Sequence, residues 1–329
     1  MRLSGLFTSV LFFLQTIIFA QTDTTLQIYN QVSDVEKYAA LINKKDLEDI
    51  VTTLCLPEFE GRRFGSNSNK KAAEYIVAEL AKRNVPKSDG KWYEQFFKDD
   101  DKYGANIIGF IEGSLFPDES VIISCHYDGL GTVDNTLFAS ADDNASGVAA
   151  LIKIAEAFSA AAIDGIRPKR SVILVAFDAG KNNMQGAKIY ASHPIKPIEK
   201  AKIILNMDML GRDDCGLKRN ETNYVFLLVN NQISSASRQI IDSINLAHTQ
   251  LNIEYDFYKN KQIWELFYPT SDHYVFSYLL PAIFYTGGIN ADVHSANDTA
   301  DKISYSTLRR RTQLVFYTAW DYANRVESL

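Results

Sequence analysis

Four residues that could bind a metal ion stand along the chain, each in a short polar motif. They are His126 in HYDGLG (126–131), Asp143 in ADDNASG (141–147), Asp208 in NMDMLGR (206–212) and His294 in DVHSANDTADKI (292–303). Zinc in catalytic sites takes imidazole and carboxylate ligands, and a carboxylate-bridged zinc pair can polarise a peptide carbonyl and stabilise the leaving amine. These residue types are therefore compatible with a site for metal-assisted hydrolysis.

Taken singly, each of these residues also has an ordinary structural interpretation. His126 could be a hydrogen-bonded core histidine, and the side chains of 142–144 could cap a helix that begins near Ala145, because Asp and Asn bond to free N–H groups there. Asp208 could form a turn after an apolar strand, and His294 could lie in a surface loop. Only the four motifs together favour a metal site.

In order and spacing, the four motifs resemble those of the M28 family of zinc-dependent exopeptidases. The resemblance extends from about residue 56 to residue 303 and includes LPEFEGRRFGS at 56–66. It implies that Asp143 bridges two zinc ions and that His126 and Asp208 complete one of the two sites. It also implies that His294 and the residue at 181 complete the other site, and that the residue at 180 is the general base.

The same resemblance implies supporting residues around the ligands. Asp128, two residues after His126, is expected to accept the free ring N–H and fix the tautomer. The segment Ser271-Asp272-His273 resembles a family segment, and we assign it to structural support or to contacts behind the ligands. The peptide bond beside Asp143 is expected to be cis.

The sequence departs from the family pattern where two glutamates are expected, because 177–187 reads FDAGKNNMQGA. Gly180 stands at the position of the general base and offers no proton acceptor, and a lost general base costs about 10²–10⁴ in rate. Lys181 stands at a ligand position, where an ammonium repels a dication. Asp178 does not replace the base, because side chains alternate along a strand and it is two residues away. No catalytic residue is therefore assigned.

Lys181 also has a positive interpretation, in which its ammonium group occupies the position of the second ion and pairs with Asp143. A buried carboxylate without any partner would be costly, so the lysine could preserve the fold. His126, Asp143 and Asp208 then remain as three acceptable ligands for one zinc ion. We expect at most one zinc per chain and a vacant second site at His294.

Apolar runs and helical patterns alternate along most of the chain and indicate the elements that position these motifs. The runs lie at 105–111, 120–124, 171–177, 202–207, 224–229 and 281–286, and helical patterns occur within 33–84, from about 145 and over 304–326. Such alternation predicts an α/β fold with a mostly parallel central sheet and helices on both faces. In that fold, ligands bind beyond the carboxyl ends of the strands, where these motifs fall.

The N-terminus predicts export. Residues 1–20 contain one positive charge, Arg2, followed by an apolar run that is too short to span a membrane, which is typical of a secretory signal peptide. We therefore expect a secreted or periplasmic protein with a single domain over 21–329, an N-terminal helical segment and no membrane span. The net charge of −6 without a basic block argues against nucleic-acid binding. Three scattered cysteines do not make a disulfide framework.

These patterns predict an exported protein with an M28-like peptide cleft and a degenerate two-zinc site. We expect hydrolysis to be lost or strongly impaired, and the ligand to be a peptide or a protein. The alternative is an active aminopeptidase that uses one metal held by His126, Asp143 and Asp208. Acyl transfer of the glutaminyl-cyclase type is a third possibility, but it also needs an acidic pair near the metal, which Gly180 and Lys181 replace.

Overall fold

The computed structural model describes residues 35–87, 93–216, 222–257 and 261–326, so the predicted signal peptide at 1–20 lies outside the described residues. The ten strands are β1 (Glu94–Asp99), β2 (Lys102–Ile111), β3 (Phe116–His126), β4 (Gly131–Val133), β5 (Thr136–Phe138), β6 (Arg170–Phe177), β7 (Ala201–Met207), β8 (Tyr224–Val229), β9 (Asn252–Glu254) and β10 (Ala282–Thr286). Eight of them form one sheet in the order β1-β2-β6-β3-β7-β10-β8-β9, and β4 pairs with β5 in a separate hairpin.

The central sheet is mixed but mostly parallel. Parallel pairing joins β6 to β3, β3 to β7, β7 to β10 and β8 to β9. Antiparallel pairing joins β1 to β2, β2 to β6 and β10 to β8. Each of the six apolar runs of the sequence forms one of these strands, and the predicted α/β fold class is confirmed.

Within the described ranges, eight helices surround the sheet, and a further short helical stretch covers 35–39. They are α1 (Lys44–Leu54), α2 (Asn67–Lys82), α3 (Ser146–Ile163), α4 (Gln185–Ser192), α5 (Ser235–His248), α6 (Lys261–Phe267), α7 (His273–Phe276) and α8 (Tyr305–Asn324). The side chains of Asn43 and Ser66 accept hydrogen bonds from the backbone N–H groups of Asp46 and Asn69 and cap α1 and α2. The helical pattern predicted within 33–84 is therefore divided by caps.

Strand β6 shows that the sheet is covered on both faces, because all of its residues are buried and they alternate between two cores. Val172, Leu174 and Ala176 pack in the core that contains α1, α2, α3 and α8. Ile173, Val175 and Phe177 pack in a second core with side chains of α4 and α7. A strand buried on both faces reads as a continuous apolar run, which is why the sequence predicted it.

Helix α3 is the central helix of the larger core. With the turn before it, 141–163 is as long and apolar as a membrane span, and 78% of its most apolar window is buried inside the fold. A core helix has this composition because it is apolar on every side. Its N-terminus points to the edge of the sheet at which the predicted ligands lie.

Arg62 connects the N-terminal helices to that edge of the sheet. Its side chain is fully buried at the end of the 3-10 helix Pro57–Arg62. The guanidinium group donates hydrogen bonds to the carbonyl groups of Leu54, Tyr127, Ala139 and Ser140. The loop that resembles the N-terminal region of the M28 family therefore holds the backbone on both sides of the predicted metal site.

Candidate metal centre

The predicted ligands come from loops at one edge of the sheet. His126 is the last residue of β3, Asp208 directly follows β7, and Asp143 lies in the turn before α3. His294 lies in the loop after β10, and Lys181 lies in the loop after β6. Because β3, β6, β7 and β10 run in parallel, their carboxyl ends bring residues distant in sequence together.

His126, Asp143 and Asp208 form a buried cluster whose ligand atoms all lie within 4.8 Å of one another. Nε2 of His126 lies 3.3 Å from Oδ1 of Asp143 and 3.5 Å from Oδ1 of Asp208. Oδ2 of Asp208 accepts a hydrogen bond of 2.8 Å from the Ser271 hydroxyl, whereas its buried Oδ1 has no hydrogen-bond partner within the described part of the chain. A buried carboxylate oxygen without a donor fits a metal ligand, and so these three side chains fit one zinc ion.

Asp128 lies behind His126 and fixes the direction of the imidazole ring. Nδ1 of His126 is 3.1 Å from the carbonyl oxygen of Asp128 and 3.3 Å from its Oδ1, which leaves Nε2 facing the cluster. The same carboxylate accepts the backbone N–H groups of Gly180 at 2.7 Å and of Lys181 at 2.9 Å. Asp128 therefore links the β6 loop to the ring, while its assignment as a support for a metal ligand stays a prediction.

The turn that carries Asp143 is held by its neighbours. Asp298 accepts hydrogen bonds from the backbone N–H groups of Asp142 and Asp143. The Asp143–Asn144 peptide bond is cis, as the resemblance implies. Oδ1 of Asn144 accepts the N–H of Gly147, so the capping role that the sequence left open for 142–144 belongs to Asn144, and Asp143 faces the cluster.

Lys181 lies where Asp143 and His294 converge. Its Nζ is 2.5 Å from each carboxylate oxygen of Asp143 and 3.4 Å from Nε2 of His294. Nε2 of His294 is itself 3.0 Å from Oδ2 of Asp143. The structure therefore brings these three predicted residues together, and the amine contacts both side chains that would hold a second ion.

Electrostatics keep both members of this pair charged at neutral pH. Burial opposes the charge on Asp143, but Lys181, His126 and His294 hold the pKa of its carboxyl group well below the usual range. Burial likewise opposes the charge on Lys181, but the carboxylates of Asp143 and Asp208 raise the pKa of its amine. The contact is therefore an ammonium–carboxylate pair, and the lysine is no ligand in this form.

Comparison with known proteins decides the family. The profile of peptidase family M28 matches residues 106–319, which include His126, Asp143, Asp208 and His294. This chain belongs to peptidase family M28. Resemblance at the level of sequence motifs and the match of the whole region thus agree on the family.

Solved structures of M28-like fold superpose on most of the chain. The LapA aminopeptidase of Legionella pneumophila has a TM-score of 0.68 and 15% identity, and the alignment covers 90% of this chain and 76% of LapA. BSAP, a zinc aminopeptidase from Bacillus subtilis, has a TM-score of 0.65 and 12% identity, with 87% and 97% covered. At these identities the similarity shows the fold alone.

Two curated relatives match a shorter segment. The vacuolar membrane protease of Tuber melanosporum and transferrin receptor protein 2 of Homo sapiens are each 30% identical over 111 residues, which is 33% of this chain. The match covers 11% of the protease and 13% of the receptor, so this chain spans a small part of either relative. One relative is named a protease and the other a receptor.

Gly180, which stands at the general-base position of the M28 pattern, is crowded in a way that the sequence did not predict. A Cβ atom added there would lie 2.6 Å from Cβ and 2.7 Å from Cγ of His126, and 3.1 Å from Oδ1 of Asp128. Cβ and Cγ of His126 are fixed by the strand end and by the Nδ1 contacts with Asp128. The loop after β6 therefore approaches the ring so closely that only glycine fits without a shift.

Two further acidic residues near the cluster, Asp178 and Asp272, are buried. Asp178 is buried, and it accepts hydrogen bonds from the side chain of Asn69 and from the backbone N–H groups of Ala105 and Ala179. Asp272 is buried without a hydrogen-bond partner among the described residues, and burial raises the pKa of its carboxyl group to about 7. The carboxylate atom beside the Gly180 position is Oδ1 of Asp128, which belongs to neither of these two residues.

Ser271 is the member of the predicted support segment with a visible contact to the cluster. It receives a hydrogen bond of 2.9 Å from the side chain of Asn206 in β7 and donates one to Asp208. His273 is fully buried, and burial lowers the pKa of its imidazole to about 3, so that the ring is neutral. Ser271 therefore contacts Asp208, while the supporting role of the whole segment stays a prediction.

The cluster opens into a cavity of 320 Å³. Its polar wall contains Asp143, Asp208, His294 and Lys181, and its apolar wall contains Met209, Phe267, Ile289 and Val293. A small cavity with one apolar side and a few convergent charged groups is the usual form of a site for a small ligand or a terminal side chain. An apolar side chain fits this wall beside the polar cluster.

Proposed function

We propose that this M28 protein is exported and binds peptides, or exposed segments of proteins, in a cleft from which two-metal hydrolysis has been lost. A single observation carries the proposal. Nζ of Lys181 lies 2.5 Å from both oxygens of Asp143 and 3.4 Å from Nε2 of His294, the two side chains left to hold a second ion. The cavity beside the cluster supplies the space for the ligand.

A second dication and this ammonium group exclude each other. The Lys181 amine, the Asp143 carboxylate and the His294 ring already touch one another, so an ion between the last two would lie in contact with the amine. Two unit charges 4 Å apart repel by about 4 kcal/mol at an effective dielectric constant of about 20, and the repulsion doubles for a dication. The pair with Asp143 satisfies the carboxylate without a metal.

Hydrolysis also needs a side chain that accepts a proton from the attacking water, and position 180 does not supply one. Gly180 has no side chain, and the nearest carboxylate, that of Asp128, already accepts two backbone N–H groups of the same loop. Efficient hydrolysis of a peptide needs a base within hydrogen-bond reach of the attacking water, and its loss costs about 10²–10⁴ in rate. Binding of a peptide needs neither this base nor a second ion.

One zinc ion remains compatible with the cluster. His126, Asp143 and Asp208 would hold it, and it would supply Lewis acidity to a bound peptide group. The amine of Lys181 competes for Asp143, so we expect at most one ion per chain and an affinity that the lysine weakens. The proposed export depends on residues 1–20, whose composition is that of a signal peptide.

Metal content and turnover test this function together. Zinc per chain is measured by elemental analysis for the wild type and for Lys181→Glu, and aminopeptidase activity is measured with the Bacillus subtilis zinc aminopeptidase as a positive control. We expect at most one zinc in the wild type, a rate at least about 100-fold below the control, and a higher zinc content in Lys181→Glu. Two tightly bound zinc ions in the wild type, or an ordinary zinc-dependent peptidase rate, would end the proposal.

A working aminopeptidase with one metal is the second candidate. It needs one bound ion, and Oδ1 of Asp208, which is buried without a hydrogen-bond partner among the described residues, fits a ligand of that ion. In that case His126→Ala would abolish activity and Lys181→Ala would leave it unchanged. Under the binding function, neither variant has activity to lose. Fold similarity to LapA and BSAP does not separate the two candidates, since it shows the fold alone.

A further inference from the structure

A second cavity, of 390 Å³, adjoins the metal centre on the other side of Lys181. Lys181 lines both this cavity and the cavity of the metal cluster, so the two meet at its side chain. The chain segment 63–64, Lys102, the β4–β5 hairpin and Asn182 form the walls. A peptide that crosses Lys181 therefore reaches both cavities.

The free charge of this second cavity is positive. Arg63 and Lys102 line it, both are exposed, and no carboxylate pairs with either side chain in the part of the chain that the structure describes. Asp128 also lines it, but both of its oxygens accept backbone N–H groups, and Lys181 is paired with Asp143. Two cations thus remain without an anion at the wall of a cavity.

Both cationic side chains are supported along their aliphatic parts. Gly131 has φ +84°, and a Cβ atom there would lie 2.6 Å from Cβ of Arg63. Gly65 has φ +77°, and a Cβ atom there would lie 2.8 Å from Cβ, Cγ and Cδ of Lys102. Glycine permits both the positive φ and the close approach, so each side chain lies directly on backbone. Supported side chains lose less freedom when a ligand binds.

The rest of the lining is apolar or neutral. Phe64, Leu130, Val133 and Phe138 form the apolar part, and Nζ of Lys102 lies 5.9 Å from the centre of the Phe64 ring. Three aspartates at 99–101 directly precede Lys102 in sequence, but none of them lines the cavity. Asp99 accepts a hydrogen bond of 2.5 Å from Asn182. An apolar floor with cations at its edge suits a short acidic side chain or a terminal carboxylate.

We propose that the cleft selects peptides that place a carboxylate against Arg63 and Lys102 while an apolar side chain occupies the wall of Met209 and Phe267. The inference rests on the proposed function and names the chemistry of its ligand. Charge complementarity of this kind sets specificity and the rate of encounter, and it is sensitive to salt. The carboxylate comes from an aspartate or glutamate that follows an apolar residue, or from the C-terminus of a dipeptide.

Calorimetric binding to the full-length mature protein tests the inference with two peptide sets. One set has amidated C-termini and the sequences Leu-Glu-Gly-Ser, Leu-Gln-Gly-Ser and Leu-Lys-Gly-Ser, and the other is Leu-Gly with a free or an amidated C-terminus. We expect the carboxylate-bearing member of at least one set to bind about tenfold more tightly than its neutral match, which is about 1.4 kcal/mol. The set that shows the gain identifies the source of the carboxylate.

Variants test whether Arg63 and Lys102 cause the tighter binding of the carboxylate-bearing peptides. In Arg63→Gln/Lys102→Gln the preference should fall below about threefold, and 0.5 M salt should have a similar effect on the wild type. Lys98→Gln is the matched control, because Lys98 is an exposed lysine beside an aromatic ring, at 5.6 Å from the centre of Tyr103, and lies outside the cavity. Circular dichroism confirms that each variant is folded.

Two results would overturn the inference, and only the second would also exclude the proposed peptide-binding function. Equal affinity for the acidic, neutral and basic peptides, or a preference that survives in the double variant, removes the carboxylate selection and leaves the peptide-binding function. Absence of binding by every peptide removes the peptide-binding function as well.

Discussion

At the scale of single residues, the main feature of the site is a positive side chain at position 181, where the resemblance implies a negative one. The resemblance to M28 motifs implies an acidic residue where this chain has Lys181, and the structure places the Lys181 amine on Asp143. The Asp143 side chain is 4% exposed and that of Lys181 is 23% exposed, so the pair is shielded on one side and wetted on the other. Its removal is therefore expected to cost less than that of a fully buried pair.

Lys181→Met tests the stabilising role of this pair. It leaves the buried Asp143 carboxylate without its nearest cation, and we expect the free energy of unfolding at pH 7 to fall by about 2 kcal/mol. Urea unfolding in the presence of a chelator measures it. Lys200→Met is the matched control, because Lys200 forms an exposed pair with Asp118 at 3.3 Å, and we expect a loss below about 0.5 kcal/mol.

The pH dependence of this effect follows from the pKa shifts. The pKa of Asp143 is lowered in the folded state, so its stabilisation is complete above its unfolded value of about 4 and is lost as the pH falls through the folded value. The pKa of Lys181 is raised, so its stabilisation is lost only as the pH rises through the folded value above 10.5. The contribution of these two groups to the difference between wild type and Lys181→Met should thus be constant from pH 5 to 9 and shrink towards pH 3. A difference that grows in acid would contradict this assignment.

Gly180 provides a second prediction at this scale. A glutamate at 180 needs a Cβ atom that would collide with His126, so we expect Gly180→Ala to destabilise the protein by about 1–3 kcal/mol through overpacking. For the same reason Gly180→Glu/Lys181→Glu should bind less zinc than Lys181→Glu, because a displaced imidazole leaves the cluster. Urea unfolding and elemental analysis of the three variants measure both effects. Higher zinc content in the double variant would show that the loop adapts.

At the scale of elements, the site residues lie in loops that follow parallel strands, and hydrogen bonds to the backbone hold these loops in place. The six strands predicted from apolar runs were found because burial on both faces leaves a continuous pattern. Strand β1 was missed, since it lies at the sheet edge and exposes 75% of Phe96, and the short β4, β5 and β9 leave no periodic signal. The placement of β3 between β6 and β7 depends on long-range pairing, which no local pattern records.

The same distinction applies to the site. The sequence indicated His126, Asp143 and Asp208 because these residue types can bind metal and their motifs follow strand ends, and the structure brings them into one cluster. Their role as metal ligands stays a prediction. The crowding at Gly180 was not predicted, because it depends on how closely the loop after β6 approaches the His126 side chain, and the two positions are 54 residues apart in sequence. The support of Asp208 by Ser271 was indicated only as a family-like segment, and the contact itself needed the fold.

Asp298 gives the prediction at this scale. Its carboxylate is buried and holds the N–H groups of Asp142 and Asp143 in the turn before α3. Asp298→Ala should lower zinc affinity by about 10–100-fold, as loss of an outer contact to a ligand does, and unfolding should become about 1–3 kcal/mol easier. Competition with a chromogenic chelator measures the affinity. Asp301→Ala is the matched control, because Asp301 is exposed three residues further on, and both quantities should stay unchanged.

At the scale of the whole molecule, one sheet supports a cleft in which a fixed charge divides two cavities. The cavity beside His126, Asp143 and Asp208, with its apolar wall, lies on one side of Lys181, and the cationic cavity lies on the other. The M28 resemblance implies a metal ion at this position, whereas this chain has the covalently attached ammonium group of Lys181 there. Under the proposed function, ligand binding does not depend on full metal occupancy, and we expect the zinc affinity to report how far the site has changed.

Zinc-dependent stabilisation of the folded chain measures this change directly. A ligand that binds only the folded state at 100 times its dissociation constant stabilises it by about 2.7 kcal/mol, which corresponds to a rise in melting temperature on the order of 5 °C for a domain of this size. With three ligands and a competing amine, the wild type should show a smaller rise at equal zinc concentration than Lys181→Ala, in which Asp143 is free. Thermal unfolding in chelator and in graded zinc gives both values.

Three histidine variants test whether zinc binding at one site causes the rise in melting temperature. His126→Ala should abolish it, because Nε2 of His126 faces both carboxylates of the cluster. His294→Ala should leave it unchanged in the wild type, because its contact with Asp143 belongs to the position that Lys181 occupies. His193→Ala, an exposed histidine at the end of α4, controls for zinc bound at the surface. If His294→Ala removed the rise as completely as His126→Ala, zinc would be binding beside the amine, and charge replacement by Lys181 would be excluded.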